Sequence, residues 1–110
     1  MPYAKLLNKD IVDKFISQIS EHEFFDAHET LEELWFEQRF EKNSRIRLLR
    51  ALINGAVSLE LTKRLRPEPS LRVWKYFLNN IYLVDEIYVD ERDMFKSIIA
   101  GLQKIDKEYR

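Results

Sequence analysis

Two residues of this chain, His28 and Glu32, pair a titratable ring with a carboxylate at a spacing that could support chemistry. They sit in the run Phe24-Phe25-Asp26-Ala27-His28-Glu29-Thr30-Leu31-Glu32-Glu33-Leu34-Trp35. On a helix of roughly 3.6 residues per turn, Phe24, His28, Leu31, Glu32 and Trp35 share one face, with His28 and Glu32 one turn apart. An imidazole and a carboxylate taken out of water cost free energy unless each finds a partner. The spacing therefore predicts one of three things: a buried, mutually satisfied pair, a cleft in which the pair meets a small-molecule ligand, or part of a metal site.

The metal reading implies a metal-assisted hydrolase or related enzyme using His28 and Glu32, with Glu60 reaching in from another helix. Several features weigh against it. There is no cysteine, and His22 is the only other histidine. Glu29 points about 100° away from His28. Glu32 also stands where a His-Glu-x-x-His zinc helix would need its second histidine. Ser17, Ser20, Ser44, Ser58, Ser70 and Ser97 lie in no nucleophile elbow or glycine-rich phosphate loop. The expectation is thus no metal, no cofactor, and a non-enzymatic binding or interaction module centred on a buried His28, Glu32 and Trp35 face, with the hydrolase as its alternative. Arg50 and Asn54, one turn apart on the following helix, are candidates to hold Glu29 or Glu32. His28→Ala is expected to cost more stability than His22→Ala, because His22 falls in a charged turn.

These side chains need helices to position them, and helical periodicity dominates the chain. The first predicted helix runs from about Lys9 to Glu21, capped by Asn8, with Ile11, Val12, Phe15, Ile16 and Ile19 as its stripe. The second covers about Glu23 to Phe40. Ser44 is expected to cap a third helix reaching about Leu65, apolar over most of its circumference and hence central. Its Gly55 predicts close approach of a neighbour, since glycine inside a helix costs about 1 kcal/mol relative to alanine. Pro67-Glu68-Pro69 separates a fourth helix, about Ser70 to Ile87, whose buried face should be Leu71, Trp74, Phe77, Leu78 and Ile81. Asp90 and Asp93 resemble a capping box for a fifth, with Phe95, Ile98, Ile99, Leu102 and Ile105 inward. The fold class is all-α: a compact antiparallel bundle of about five helices, forming one domain over 1–110.

Composition narrows the function classes. With 110 residues, 45% hydrophobic and 34% charged, the chain can bury a continuous core. It shows neither signal-peptide character nor a bilayer-length apolar run, so no membrane partner and a cytoplasmic location are expected. A net charge of -1 argues against nucleic acid. That total conceals an asymmetry: Glu23 to Glu41 holds seven acids against Arg39, and Lys42 to Arg66 seven bases against Glu60. An antiparallel hairpin would set one run against the other. The aromatic fourth helix, with Trp74, Tyr76, Phe77, Tyr82 and Tyr88, retains rings beyond one buried stripe, so a homodimer or another protein partner is expected there.

The run from Phe24 to Trp35 resembles the signature of the bacterial and archaeal domain of unknown function 309 family: an aromatic pair, Ala-His-Glu, a Leu-Glu pair and a Trp. Leu52-Ile53-Asn54-Gly55-Ala56-Val57 is similar to its second motif, with Ala51 where the family usually has Gly and Asn54 where it has Gln. Together the motifs span about residues 10 to 85. Pro67-Glu68-Pro69 replaces the family's Arg-Gly-Asn turn. The resemblance implies a compact all-helical domain in which His28, Glu29, Glu32 and Trp35 match the first motif. It implies no reaction.

Overall fold

In the computed structural model of the chain, which describes residues 6–109, Asn8 and Asn43 each open a helix by the same device. Asn8 accepts the Ile11 N–H at 3.0 Å and Asn43 the Ile46 N–H at 2.9 Å, satisfying donors that a first helical turn leaves unpaired. Asn43 thus takes the capping role expected of Ser44, whose hydroxyl donates to Glu86 instead. The helices are α1 (Lys9–Ser20), α2 (Phe24–Phe36), α3 (Ser44–Lys63), α4 (Pro67–Asn80) and α5 (Val89–Tyr109), with a 3-10 segment (Ile81–Glu86) before α5. The all-α expectation holds. Among the described residues no helix is long and apolar enough to cross a membrane.

The apolar circumference of α3 puts it at the centre, packed against α2, α4, α5 and the 3-10 segment, while α1 bridges α2 and α5. Leu48, Leu49, Leu52, Ala56 and Leu59 are fully buried along it. A Cβ on Gly55 would lie 2.9 Å from Leu102 Cδ1 and 3.3 Å from the Phe77 ring. The missing side chain is what lets α4 and α5 close on α3. The α2–α3 pair is antiparallel, as expected: Phe24, Phe25 and His28 at the start of α2 line a groove with Val57, Glu60, Leu61 and Arg64 at the end of α3.

Two helices end earlier than their periodicity suggests, and side chains do the ending. Gln38 Nε2 donates to the Leu34 carbonyl at 3.3 Å and Arg39 to that of Phe36, occupying acceptors that a further turn of α2 would have used. Asn80 Nδ2 caps the Tyr76 carbonyl at 2.8 Å where α4 gives way to the 3-10 segment. The inward face of α4 also differs from expectation: Ser70, Trp74 and Phe77 are buried, while Leu71 and Leu78 are exposed. Hydroxyl pairing sets this rotation. Ser58 donates to the Ser70 carbonyl at 2.7 Å, and Thr62 Oγ1 lies 2.6 Å from Ser70 Oγ, so Ser70 rather than Leu71 faces α3.

A buried ionic cluster closes the end of the bundle away from the groove. Glu91, only 6% exposed, takes Arg45 Nε on Oε1 at 2.7 Å, and Arg45 Nη2 at 3.1 Å and the Leu7 N–H at 2.8 Å on Oε2. Arg45 Nη1 also donates to Gln38 Oε1 at 2.7 Å. One fork thus fastens the N-terminal segment, the α2–α3 link, α3 and α5.

At the groove end, Leu65 takes φ 60° in the α3–α4 turn while 88% exposed. A left-handed conformation costs an L residue about 1–2 kcal/mol, and here the side chain recovers little by packing. Leu65→Gly is expected to raise stability by about 1 kcal/mol, the extra freedom of glycine in the unfolded chain offsetting part of the gain. A higher urea midpoint for the variant is the check; a lower one refutes it.

Candidate functional site

The buried arc of α2 consists of Phe24, Ala27, Thr30, Leu31 and Leu34. Helical geometry then puts His28 and Trp35 on the edge of that arc, beside α3, and Glu32 beyond the edge. The pair does form, with His28 Nε2 and Glu32 Oε2 2.7 Å apart, but the two side chains are 20% and 47% exposed. The expected buried face is therefore a half-buried edge. Periodicity placed His28 in the stripe correctly to within one helical step. It could not tell which flank of the stripe α3 would cover.

The edge overlooks a groove of about 210 Å³ lined by Phe24, Phe25, His28, Val57, Glu60, Leu61 and Arg64. Its floor is apolar because Phe24 is fully buried and Val57 packs against the core from α3. Its polar groups sit in short pairs within single helices. His28 Nδ1 lies 3.1 Å from the Phe25 carbonyl and Nε2 2.7 Å from Glu32 Oε2, so each ring nitrogen faces an acceptor within hydrogen-bond reach. Glu60 Oε2 takes Arg64 Nε at 2.7 Å. A cation held by His28, Glu32 and Glu60 would have to displace both pairs. Among the described residues no group of three or more His, Cys, Asp or Glu side chains is placed to hold a metal ion.

The remaining candidates separate. Trp35 is half-buried and packs against the core one turn past Leu31. Arg50 is exposed and leans toward α4, its guanidinium carbon 5.8 Å from the Tyr76 ring centre, rather than holding Glu29 or Glu32 on α2. Asn54 is half-buried on the same outward strip of α3, and Glu29 is exposed on α2. The structure thus brings His28 and Glu32 together and sets Arg50 apart from them. Sequence reasoning did not bring Phe25, Val57, Leu61 and Arg64 to the site. Phe25 was visible in the aromatic pair at the start of α2 and Val57 and Leu61 in the apolar and small character of α3 between Leu52 and Leu61, while Arg64 gave no signal beyond its place in the basic run.

The charge match expected across the hairpin takes another form. Among the described residues, Glu60 pairs with Arg64 at the end of α3 and Arg45 with Glu91 between α3 and α5, while His28 meets Glu32 within α2. Glu29, Glu33 and Glu37 face solvent on the outward side of α2, where with Glu32 and Phe36 they line a depression of about 320 Å³. Contact between α2 and α3 uses the apolar arcs, and that rotation turns the acidic arc away from the basic helix.

His22 is more engaged than a solvated turn residue. Its ring lies 5.4 Å from Phe24 and 4.8 Å from Tyr109, its carbonyl accepts Lys63 Nζ at 2.9 Å, and its φ is 60°. The expected order of the two histidine variants therefore reverses. His28→Ala loses a half-exposed pair of about 0.5 kcal/mol. His22→Ala loses two ring contacts, together about 1 kcal/mol or more, while the left-handed backbone is carried by either residue. Denaturant midpoints for both variants decide the order.

Against known proteins, the family model described as Domain of unknown function (DUF309) matches residues 12–73, more than half of the chain and every residue that lines the groove. No curated protein and no solved structure matches the chain.

Proposed function

The chain belongs to the DUF309 family, a premise that names no reaction, and from it we propose a non-enzymatic binding module whose site is the groove between α2 and α3 beneath His28, Glu32 and Trp35. The observation that carries this reading is the groove itself: an apolar floor, a rim whose polar groups pair with one another, and a volume of about 210 Å³. Metabolite pockets usually enclose about 300–1,000 Å³. The smaller space suits an anchoring side chain of a partner protein, held by burial rather than by directed polar contacts. The hydrolase reading is disfavoured because the groups it needs, His28, Glu32 and Glu60, are each engaged at 2.7 Å.

Photo-crosslinking tests the module. A benzoylphenylalanine at Phe25, which is 51% exposed on the groove rim, is expected to yield a discrete adduct in cells of the source organism. The same group at Tyr88, 87% exposed and outside the groove, should not. Equal labelling from both positions, or none from Phe25, overturns the reading.

Self-association through α4 is a separate proposal, favoured by the exposure of Leu71, Leu78 and Tyr82 beside a depression shared with α5. Light scattering at high micromolar concentration is expected to give twice the monomer mass, and a Leu78→Lys variant the monomer mass. A monomeric parent chain removes this proposal.

A further inference from the structure

We infer that the partner of this groove is a basic amphipathic helix, one apolar side chain of which anchors in the groove while its other apolar residues rest on the exposed rings of α2 and its Lys or Arg residues lie over the outward face of α2; the inference rests on the groove being the binding site. Phe25, Glu29, Glu32 and Phe36 follow one another along that face at intervals of one helical turn, and Phe25 also lines the groove. Groove and face therefore form one continuous surface. The phenylalanines are open to solvent: Phe25 is 51% exposed, Phe36 53% and Phe40, just beyond the helix, 82%.

Two further observations select the occupant's charge. The first is that α2 carries its charge against the rules that stabilise a helix. Glu29 and Glu33, and Glu33 and Glu37, are like charges one turn apart, and Glu32, Glu33 and Glu37 crowd the C-terminal end, where the helix dipole is negative. A cationic partner reverses both penalties at once. The second is a stand-in within the chain. The Arg39 guanidinium carbon lies 3.6 Å from the Phe36 ring centre and 4.5 Å from that of Phe40, so these exposed rings already take a cation on their faces. A partner's Lys or Arg on the same strip would meet both a ring and a carboxylate.

The opposite end of the groove limits where those bases can lie. Lys63, Arg64 and Arg66 are exposed where α3 ends, and Lys63 and Arg64 are already tied to the His22 carbonyl and to Glu60. The occupant's positive residues therefore lie over the acidic depression of α2 rather than over the end of α3. An apolar face at i, i+4, i+7 flanked by bases is the form of helix-in-groove recognition that such a surface accepts.

The test uses the full chain and a fluorescein-labelled peptide of helix-forming sequence, with leucines at i, i+4, i+7 and i+11 and lysines beside them. Two control peptides replace every lysine by glutamate, or every leucine by alanine. Fluorescence anisotropy is expected to show the Lys/Leu peptide binding at least about tenfold tighter than either control, with affinity falling as salt rises. Glu29→Gln/Glu33→Gln/Glu37→Gln should weaken it by about tenfold or more while leaving the thermal midpoint unchanged or higher, since like-charge repulsion is relieved. Val57→Glu should abolish it.

If the Glu/Leu peptide binds as well as the lysine version and Val57→Glu still abolishes binding, the groove reading stands and the basic partner is overturned. If the Lys/Ala peptide binds equally, or if Val57→Glu has no effect, binding is charge adsorption and the inference fails. Absence of binding by all three peptides also overturns it. So does light scattering that shows a dimer lost on Phe36→Ser, because a second copy of the chain would then cover this face.

Discussion

Replacing Glu91 by alanine is expected to cost about 3 kcal/mol, because it breaks a charged pair that the fold has taken largely out of water. The variant would take the carboxylate from the Arg45 guanidinium, which keeps Gln38, and leave the Leu7 N–H without its acceptor, two roles now filled by one carboxylate that is 6% exposed. The estimate sits at the lower end for a broken buried pair because the Arg45 side chain is 15% exposed and keeps some solvation. For a chain of this size the thermal midpoint should fall by about 12 °C or more. The double variant Arg45→Met/Glu91→Leu should recover roughly half of the loss, because it removes the part-buried guanidinium along with the carboxylate that balanced it. An unchanged midpoint for Glu91→Ala would refute the account. The damage should stay at its own end. Arg45 and Arg64 lie about 28 Å apart along α3, so crosslinking from Phe25 should persist at temperatures where the variant remains folded.

Gly55→Val is expected to cost about 3 kcal/mol by overfilling the centre of the bundle. Even a Cβ there would meet Leu102 Cδ1 at 2.9 Å and the Phe77 ring at 3.3 Å, and both side chains are fully buried, so any shift must be made inside a close-packed core. The two γ-methyls of valine reach further and add the penalty of β-branching in a helix. Gly101 is the control. A Cβ at Gly101 would approach Ile16 Cδ1 at 2.6 Å, but that methyl ends a flexible side chain that is itself only half-buried and can turn aside. Gly101→Ala should therefore be close to neutral, the gain in helix propensity of about 1 kcal/mol offsetting the displacement. Equal losses for Gly55→Val and Gly101→Ala in urea denaturation would show that packing around Gly55 is looser than described.

By itself the sequence determined the helices and most of the core, because both follow from local spacing. A period of about 3.6 residues marked Val12, Phe15 and Ile19 on α1 and Phe95, Ile98, Ile99, Leu102 and Ile105 on α5, and all of them are buried. Asn8 and Pro67 announced helix starts through the chemistry of their own first turns. Gly55 foretold a close approach, since nothing local rewards a glycine there. The His28–Glu32 pair was legible for the same reason, its partners being one turn apart on a single helix.

Which flank of each helix is covered depends on contacts made across the bundle. The rotation of α4 depends on Ser58 and Thr62 meeting Ser70 from another helix. The half-exposure of His28 depends on where α3 lies against α2. The Arg45–Glu91 fork joins residues 46 positions apart, and no periodicity along the chain records such a distance. Local spacing carries the energetics of one helix. The polar ties that fix how helices turn against each other are set by groups distant in sequence, and they become visible only when packing brings those groups within hydrogen-bond reach.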